Sequence, residues 1–506
     1  MNRSYRAPRK RRPLALAAMA LAACCASSAA FATSTALPAT PVGSIAGELV
    51  QHLNTDNPTQ MQQWLSGVLA ASLSREDRDD LVANLVKAVG RGEHYDVFDV
   101  QTDPRRPGLL ELVVRAGHAN KLGLFFLMAD PSHPGQLGQA GVAPMDDPAL
   151  YAGWPKQVDS PAAIAPLLHA TLEKLVATAD FSGCVTVVQA GNTVFNACRG
   201  LAERNFAVPI DATTRFHVGS LDKMFTAVAI AQLVEAGKLS WDATLAELVP
   251  EYPDQVAARH ITVWQLLHHT AGLGDFLVPG YLQHSEAYLE PRDYLGLIAK
   301  QPVQAAPGKQ WIYSNAGYML LGRIVENVSG ERYEDYVQRH VFTPAGMHDT
   351  GFDRLDEVTP KLAVGYYRDG VFASQWKPAW SKLGVKGGPA GGGYATNADL
   401  LRFAGALRDG RLVKGATLDK MFADEVPAGP GAYAAGFGDR PSHGDHVRGH
   451  AGGIEGTTAS LQMVWNAHAA IAITSNEGPS ETWMLAEHIA DLLASLPPAS
   501  TPTQTP

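Results

Sequence analysis

Ser220-Leu-Asp-Lys223 opens a run that is apolar at nearly every position: Met224, Phe225, Ala227, Val228, Ala229, Ile230, Ala231, Leu233 and Val234. A helix that is apolar all round is buried. This one therefore carries a hydroxyl and an amine at its mouth, both directed into the protein. Residues three apart on a helix share a face, so Lys223 reaches Ser220. Burial strips water from an ammonium and drives a lysine toward its neutral, basic form. A base beside a serine at the start of a helix is the equipment of nucleophilic catalysis. The same spacing recurs at Ser374-Gln-Trp-Lys377, but Pro378 follows and no helical pattern does, so that match reads as accidental.

Two other segments carry chemistry. Tyr313-Ser-Asn315 precedes an apolar helical run, Tyr318–Val328. In an extended segment residues i and i+2 point the same way, so a phenol and an amide would face one site. Taken alone, a turn with Ser314 or Asn315 as helix cap is the better account. His450-Ala-Gly-Gly453 precedes a strand-like run. Glycines there let a substrate lie against the backbone, and a free N–H would form an oxyanion hole with that of Ser220. Taken alone, it is a glycine turn in a hairpin.

In this order and spacing the three segments form the three-motif pattern of penicillin-recognising serine enzymes. The chain resembles the serine β-lactamase-related family, nearest the class C-like branch that includes D-alanyl-D-alanine carboxypeptidases, esterases and D-aminopeptidases. The resemblance covers about 181–493. It is supported by Leu266-Leu-His-His-Thr-Ala-Gly-Leu273, Pro307-Gly-Lys-Gln-Trp-Ile-Tyr-Ser-Asn315, Pro344-Ala-Gly-Met347 and Ala390-Gly-Gly-Gly-Tyr394. It implies Ser220 as nucleophile, Lys223 with Tyr313 as the general base/acid pair and Asn315 as an orienting group. His450 would contact the substrate or the tyrosine, Gly452 would let the substrate approach, and the N–H groups of Ser220 and Gly453 would bind the oxyanion. The family's β-lactamases carry Lys-Thr-Gly as third motif, where this chain has His-Ala-Gly. Histidine is mostly neutral at pH 7, so attraction for a substrate carboxylate is weaker. An ester, amide or D-amino-acid peptide is favoured over an antibiotic.

A different class is a β-lactam or peptidoglycan-fragment sensor that acylates without turnover. A third is a zinc hydrolase built on His443-Gly-Asp445-His446 and His450. No familiar metal spacing such as His-Glu-x-x-His is met, and strand alternation would split these side chains between two faces. No metal or other cofactor is expected. Gly-x-Ser-x-Gly is absent, which removes the nucleophile-elbow hydrolases.

The elements that must position these groups occupy only part of the 506 residues. Of 41 basic residues six fall in the first 32 with no acid, leaving 35 against 50 acidic ones. An acidic body argues against nucleic-acid binding; the expected partner is a small-molecule or peptide substrate. Arg3–Arg12 followed by the apolar Leu14–Ala23 reads as an export signal. Two cleavages compete. Ala30-Phe-Ala32 would release a periplasmic or secreted chain from Thr33 (signal 1–32). Leu21-Ala-Ala-Cys24 resembles a lipobox (signal 1–23), and acylated Cys24 would then be the only tie to a membrane.

Residues 33–150 read as a small α+β module: helical patterns at Met61–Leu73 and Arg75–Val89, then strands at Val97–Val100, Leu109–Ala116 and Leu122–Met128. It has a weak likeness to nuclear-transport-factor-like modules. His94 and His118 read as surface residues. A linker and leading helix (151–180) precede the hydrolase-like domain (181–496), and a Pro/Thr-rich tail (497–506) is expected to be disordered. Strands at both ends of the second domain with helices between predict an α+β fold: one antiparallel sheet closed by both termini, with a helical subdomain inserted. Cys184 and Cys198 lie on two strand-like runs joined through Ala190-Gly-Asn192. A three-residue loop would set them opposite each other, as a disulfide in an export compartment or as two buried core thiols.

Overall fold

The computed structural model describes residues 35–496 except 56, 74, 88–92, 103–105, 107, 118–120, 146, 179–180, 374, 429–430 and 479–481. The export signal, Cys24, the 497–506 tail, His118 and Ser374 lie outside the described residues. No helix among the described residues is long and apolar enough to cross a membrane.

The first part packs three helices on a four-stranded antiparallel sheet, whose strands Tyr95–Thr102, Leu109–Ala116, Lys121–Asp130 and His133–Met145 pair in chain order. Two of these elements were not legible. The Pro41–Asn54 helix begins at a proline, which looks like a breaker but suits the first turn; Thr40 accepts the Gly43 N–H at 3.2 Å. The last strand, rich in Gly and Pro, has no apolar alternation to announce it. The second helix runs Pro58–Val68, not Met61–Leu73, because Asn57 caps it early.

This part does not stand apart from the second. Phe372, from a hairpin loop of the second part, lies in its core, and half-buried Val371 packs against it. Phe372 is buried edge-on to Tyr95, with ring centroids 5.0 Å apart.

The second part is built on an eight-stranded antiparallel sheet. In spatial order its strands are Val426–Ala428, Gly431–Tyr433, Gly438–Ser442, Asp445–Ile454, Thr457–Val464, Ala469–Ser475, Gly183–Gln189 and Asn192–Arg199. The Ala469–Ser475 strand pairs with Gly183–Gln189, so the two ends of the domain close one sheet, as the sequence predicts. The helices from Ile164–Ala177 and Thr482–Ala494 cover one face through an apolar cluster that includes Leu168, Leu172, Ile489 and Leu493. The Asp222–Glu235 and Asn315–Ser329 helices form the centre of the inserted subdomain.

The cysteine hairpin differs in detail from the expectation. Gln189 pairs with Asn192, so the loop has two residues, Ala190 and Gly191, both with positive φ (48° and 80°) as tight hairpins require. That shorter loop alone would set Cys184 beside Ala197. A bulge after Val187 restores the register, and Cys184 faces Cys198 in a disulfide.

The nucleophile segment is fixed on several sides. Phe216–His217 pairs with Tyr394–Ala395. The Val218 N–H donates to Gly393 O at 2.9 Å, and the Thr457 hydroxyl donates to His217 O. Gly219–Leu221 is a single 3-10 turn that runs into the Asp222–Glu235 helix, so Ser220 sits one turn ahead of the α-helix proper.

Replacing both Cys184 and Cys198 by alanine removes a cross-link over a short loop. The expected loss is about 3 kcal/mol, measured by urea titration. Phe372→Ala should destabilise the contact between the two parts by about 3–5 kcal/mol, seen as an earlier thermal transition.

Candidate active site

Lys223 is fully buried, whereas Ser220 is half-buried and reachable from outside. The Lys223 Nζ lies 3.0 Å from Ser220 Oγ and 2.8 Å from Asn315 Oδ1, and it also donates to the Ala390 carbonyl. Three acceptors thus surround one amine. Burial pulls the Lys223 ammonium down to about 7, opposed by the charges of Asp275 and Asp222. Burial also pushes the neighbouring Asp222 carboxyl up to about 8, against the Gly393 N–H that it accepts at 2.6 Å. Both shifts favour the uncharged forms, leaving an amine able to take a proton from Ser220 near neutral pH.

Tyr313 and Asn315 meet at this amine by a route other than simple strand alternation. Asn315 is already the first residue of a helix, and Ser314 caps it by accepting the Gly317 N–H at 3.1 Å. The turn-and-cap reading and the functional reading therefore both hold. The Lys223 Nζ stands 4.9 Å from the Tyr313 ring centroid, and the Ser220 side chain is near enough to the phenol to oppose its upward shift. Burial raises the Tyr313 phenol above its ordinary range, so it stays protonated and can give a proton. The Asn315 amide is oriented by Asp275, whose Oδ2 accepts from Nδ2 at 2.8 Å and from the backbone N–H at 3.3 Å. That leaves the amide oxygen for Lys223.

The Asp445–Ile454 strand brings the third motif alongside. A Cβ on Gly452 would fall 2.0 Å from Val218 O and 2.7 Å from Ser220 N. Only glycine lets the two backbones approach so closely. At Gly219, where φ is 53°, an added Cβ would fall 2.9 Å from Gly453 N. The backbone of Gly452 and Gly453 thus lies against that of Gly219 and Ser220, the placement that an oxyanion hole formed by the amides of Ser220 and Gly453 would need. His450 is buried, with its ring 6.4 Å from that of Tyr313 and its Nε2 3.0 Å from the Tyr433 hydroxyl. Burial and the Lys223 charge pull its imidazolium down to about 3, so it is neutral.

A family model described as Beta-lactamase matches residues 168–495. The chain belongs to the β-lactamase family. It is 34% identical over 268 residues to PbpX of Bacillus subtilis (strain 168), which carries a penicillin-binding-protein name, covering 53% of this chain and 64% of PbpX, less than two thirds of its length. It is 30% identical over 281 residues to Esterase EstB of Burkholderia gladioli, covering 49% of this chain and 71% of EstB. Among solved structures, the D-amino acid amidase of Ochrobactrum anthropi SV3 superposes with a TM-score of 0.53 at 26% identity, over 64% of this chain and 97% of the amidase. The fold is that of the β-lactamase/transpeptidase-like enzymes, and 168–495 is a serine-hydrolase domain of this family.

For this β-lactamase-family domain the structure also adds groups that sequence reasoning missed. Asp275, Tyr433 and the Ala390 carbonyl touch the central cluster, as does His269, which lies in the Leu266–Leu273 segment that the sequence already singles out. Gly274-Asp275 and Tyr433 have no motif of their own. Their contacts to Asn315 and His450 span 40 and 17 residues. Ala390-Gly-Gly-Gly-Tyr394 was visible as a segment, but not that its carbonyl would hold Lys223.

The zinc reading finds no site: among the described residues no group of three His, Cys, Asp or Glu is placed to hold a metal. His446 Nδ1 is 2.8 Å from Asp439, and Asp445 accepts backbone N–H groups of Asn466 and Ala467. Lys377 of the second Ser-x-x-Lys match is paired with Asp369 at 3.0 Å.

The rate of acylation should rise with pH around 7, as Lys223 loses its proton. Asp275 favours the charged lysine, so Asp275→Asn should move that limb to lower pH while lowering the plateau; pH–kcat/KM profiles check both. Gly452→Ala should cost at least about 100-fold in kcat/KM, because the added methyl separates the two amides; a circular-dichroism spectrum confirms that the fold is kept.

Proposed function

We propose that this chain is an exported serine hydrolase that works through an acyl-enzyme on Ser220. The observation that carries the reading is the buried Lys223 amine 3.0 Å from Ser220 Oγ. The amine, in its neutral form, takes the Ser220 proton as Oγ bonds to the substrate carbonyl carbon. The carbonyl oxygen gains negative charge between the N–H groups of Ser220 and Gly453. Tyr313, kept protonated by burial, passes its proton to the departing alcohol or amine and is reprotonated by the one that Lys223 took from Ser220. Water then attacks the acyl-enzyme by the reverse sequence, freeing the acid and Ser220.

The substrate class follows from charge. His450, where the β-lactamases of this family have lysine, is buried, neutral and engaged with Tyr433. Ala451 offers no hydroxyl. Nothing in this third motif favours a carboxylate over an uncharged group. Neutral esters and D-amino-acid amides or peptides are therefore the proposed substrates, ahead of β-lactams and of peptides with a free C-terminal carboxylate. The esterase and amidase relatives are in keeping with this choice.

A fluorophosphonate probe should label Ser220, and Ser220→Ala should abolish labelling without unfolding the protein. A panel of p-nitrophenyl esters, D-amino-acid amides and nitrocefin should rank in that direction, with EDTA without effect. Efficient nitrocefin turnover with esters barely touched would overturn the substrate class. A burst of one equivalent without turnover on every ester would assign a sensor instead. The proposed export is read by intact mass: an N-terminus at Thr33 marks a soluble exported protein, and a diacylglyceryl mass on Cys24 a lipid-anchored one.

A further inference from the structure

We propose that His269 is a positioning residue: a neutral imidazole that clamps the backbone on both sides of Tyr313 and so holds the phenol at Ser220. The proposal rests on the reading of Tyr313 as the proton-transferring group.

His269 adopts a left-handed backbone, with φ 56°, directly after the Val263–Leu267 helix. Such a conformation is uncommon for a residue with a side chain and persists where surrounding contacts fix it. Here it turns two acceptors of one residue toward the same neighbour. The His269 carbonyl accepts the Ile312 N–H at 2.8 Å, and its ring Nδ1 accepts the Ser314 N–H at 3.1 Å. Tyr313 lies between those two donors. The imidazole also packs on the Tyr313 ring itself, with centroids 4.3 Å apart and planes 36° apart. Tyr313 is thus held before, after and on its face by a single side chain and its backbone.

The clamp works in one protonation state. To accept from Ser314, Nδ1 must carry no proton, which puts the ring proton on Nε2. A second proton would set an N–H against an N–H. The surroundings resist that second proton. His269 is buried among Tyr313, Tyr318, Tyr433 and Trp311, with His268 beside it in the chain. Burial first, then the charges of Lys223, His450 and His268, hold its imidazolium well below the ordinary range. Its buried Nε2 has no hydrogen-bond partner among the described residues. Leaving that donor unmet is a cost, which the position carries in return for the Nδ1 acceptor.

Three substitutions separate the acceptor from the ring. His269→Asn keeps an acceptor near Nδ1 and tolerates the left-handed backbone. His269→Phe keeps an aromatic ring and loses the acceptor. His269→Ala loses both. With the preferred ester, Asn should stay within about tenfold of wild-type kcat, while Phe and Ala fall by ~100-fold with KM little changed, the size expected when a reacting group is displaced by about 1 Å. In a Tyr313→Phe background none of the three should lower kcat further, because the group they position is gone. Wild-type kcat in His269→Phe would overturn the clamp. So would losses that persist in the Tyr313→Phe background, or losses in all three variants that track thermal midpoint. Tyr313→Phe at full activity would instead sink the role of Tyr313, and the clamp with it. An inactive Tyr313→Phe beside an active His269→Phe would sink the clamp alone.

Discussion

A lysine amine with no exposure to water must have its polar hydrogens met by the protein, or the fold bears the cost of an unpaired donor. Lys223 meets that demand with acceptors from three places in the chain: Ser220 three residues away, Asn315 92 away and the Ala390 carbonyl 167 away. Satisfying one buried group therefore draws three elements to a single point. The Pro389–Gly393 segment closes over the helix mouth, where Thr226 donates to Pro389 O at 2.7 Å and Asp222 receives the Gly393 N–H. The geometry that would serve catalysis is the same geometry that makes burial of this amine tolerable.

Around that point the protein favours neutral forms. Burial lowers Lys223, His450 and His269 and raises Asp222, Tyr313, Tyr318 and Tyr433. Each shift disfavours a charge, because each group has lost water. Asp275 is the exception that matters. Half-exposed at the edge of the cluster, it pulls Lys223 back toward its charged form and turns Asn315 toward the amine. A site of uncharged groups in a low-dielectric setting amplifies any charge that develops during reaction, which suits an oxyanion held by two amides.

The two parts of the chain are coupled through the hairpin of Tyr366–Arg368 and Trp376–Pro378. Its tip places Phe372 in the core of the first part, and Lys87 pairs with Asp369 at 3.4 Å. At its base Ala379 donates to Gly365, and both residues pack against Gly456, in the turn just past Gly453. The helix-and-sheet module is thus linked through this hairpin to the turn that follows Gly453.

Local rules made much of this legible. Helical periodicity put Lys223 over Ser220 and an all-round apolar pattern announced the burial that shifts it, whereas Gly452, read as room for a substrate, makes room for the backbone of Val218 and Ser220. The closure of one sheet by both ends of the domain followed from where the strand-like runs lay. The hairpin of Cys184 and Cys198 was found with its pairing right and its loop one residue too long, since a bulge leaves no mark in composition. Asp275, Tyr433 and the hold of the Ala390 carbonyl on Lys223 stayed hidden: each acts through a contact 17 or more residues away in the chain, and no periodicity encodes which distant group will arrive. The sequence by itself determined which residues could react, because hydroxyl, amine and phenol chemistry travels with residue type and short spacing. Only the tertiary structure decided their protonation and orientation, because both depend on how much water is excluded and on which partners the folded chain brings up.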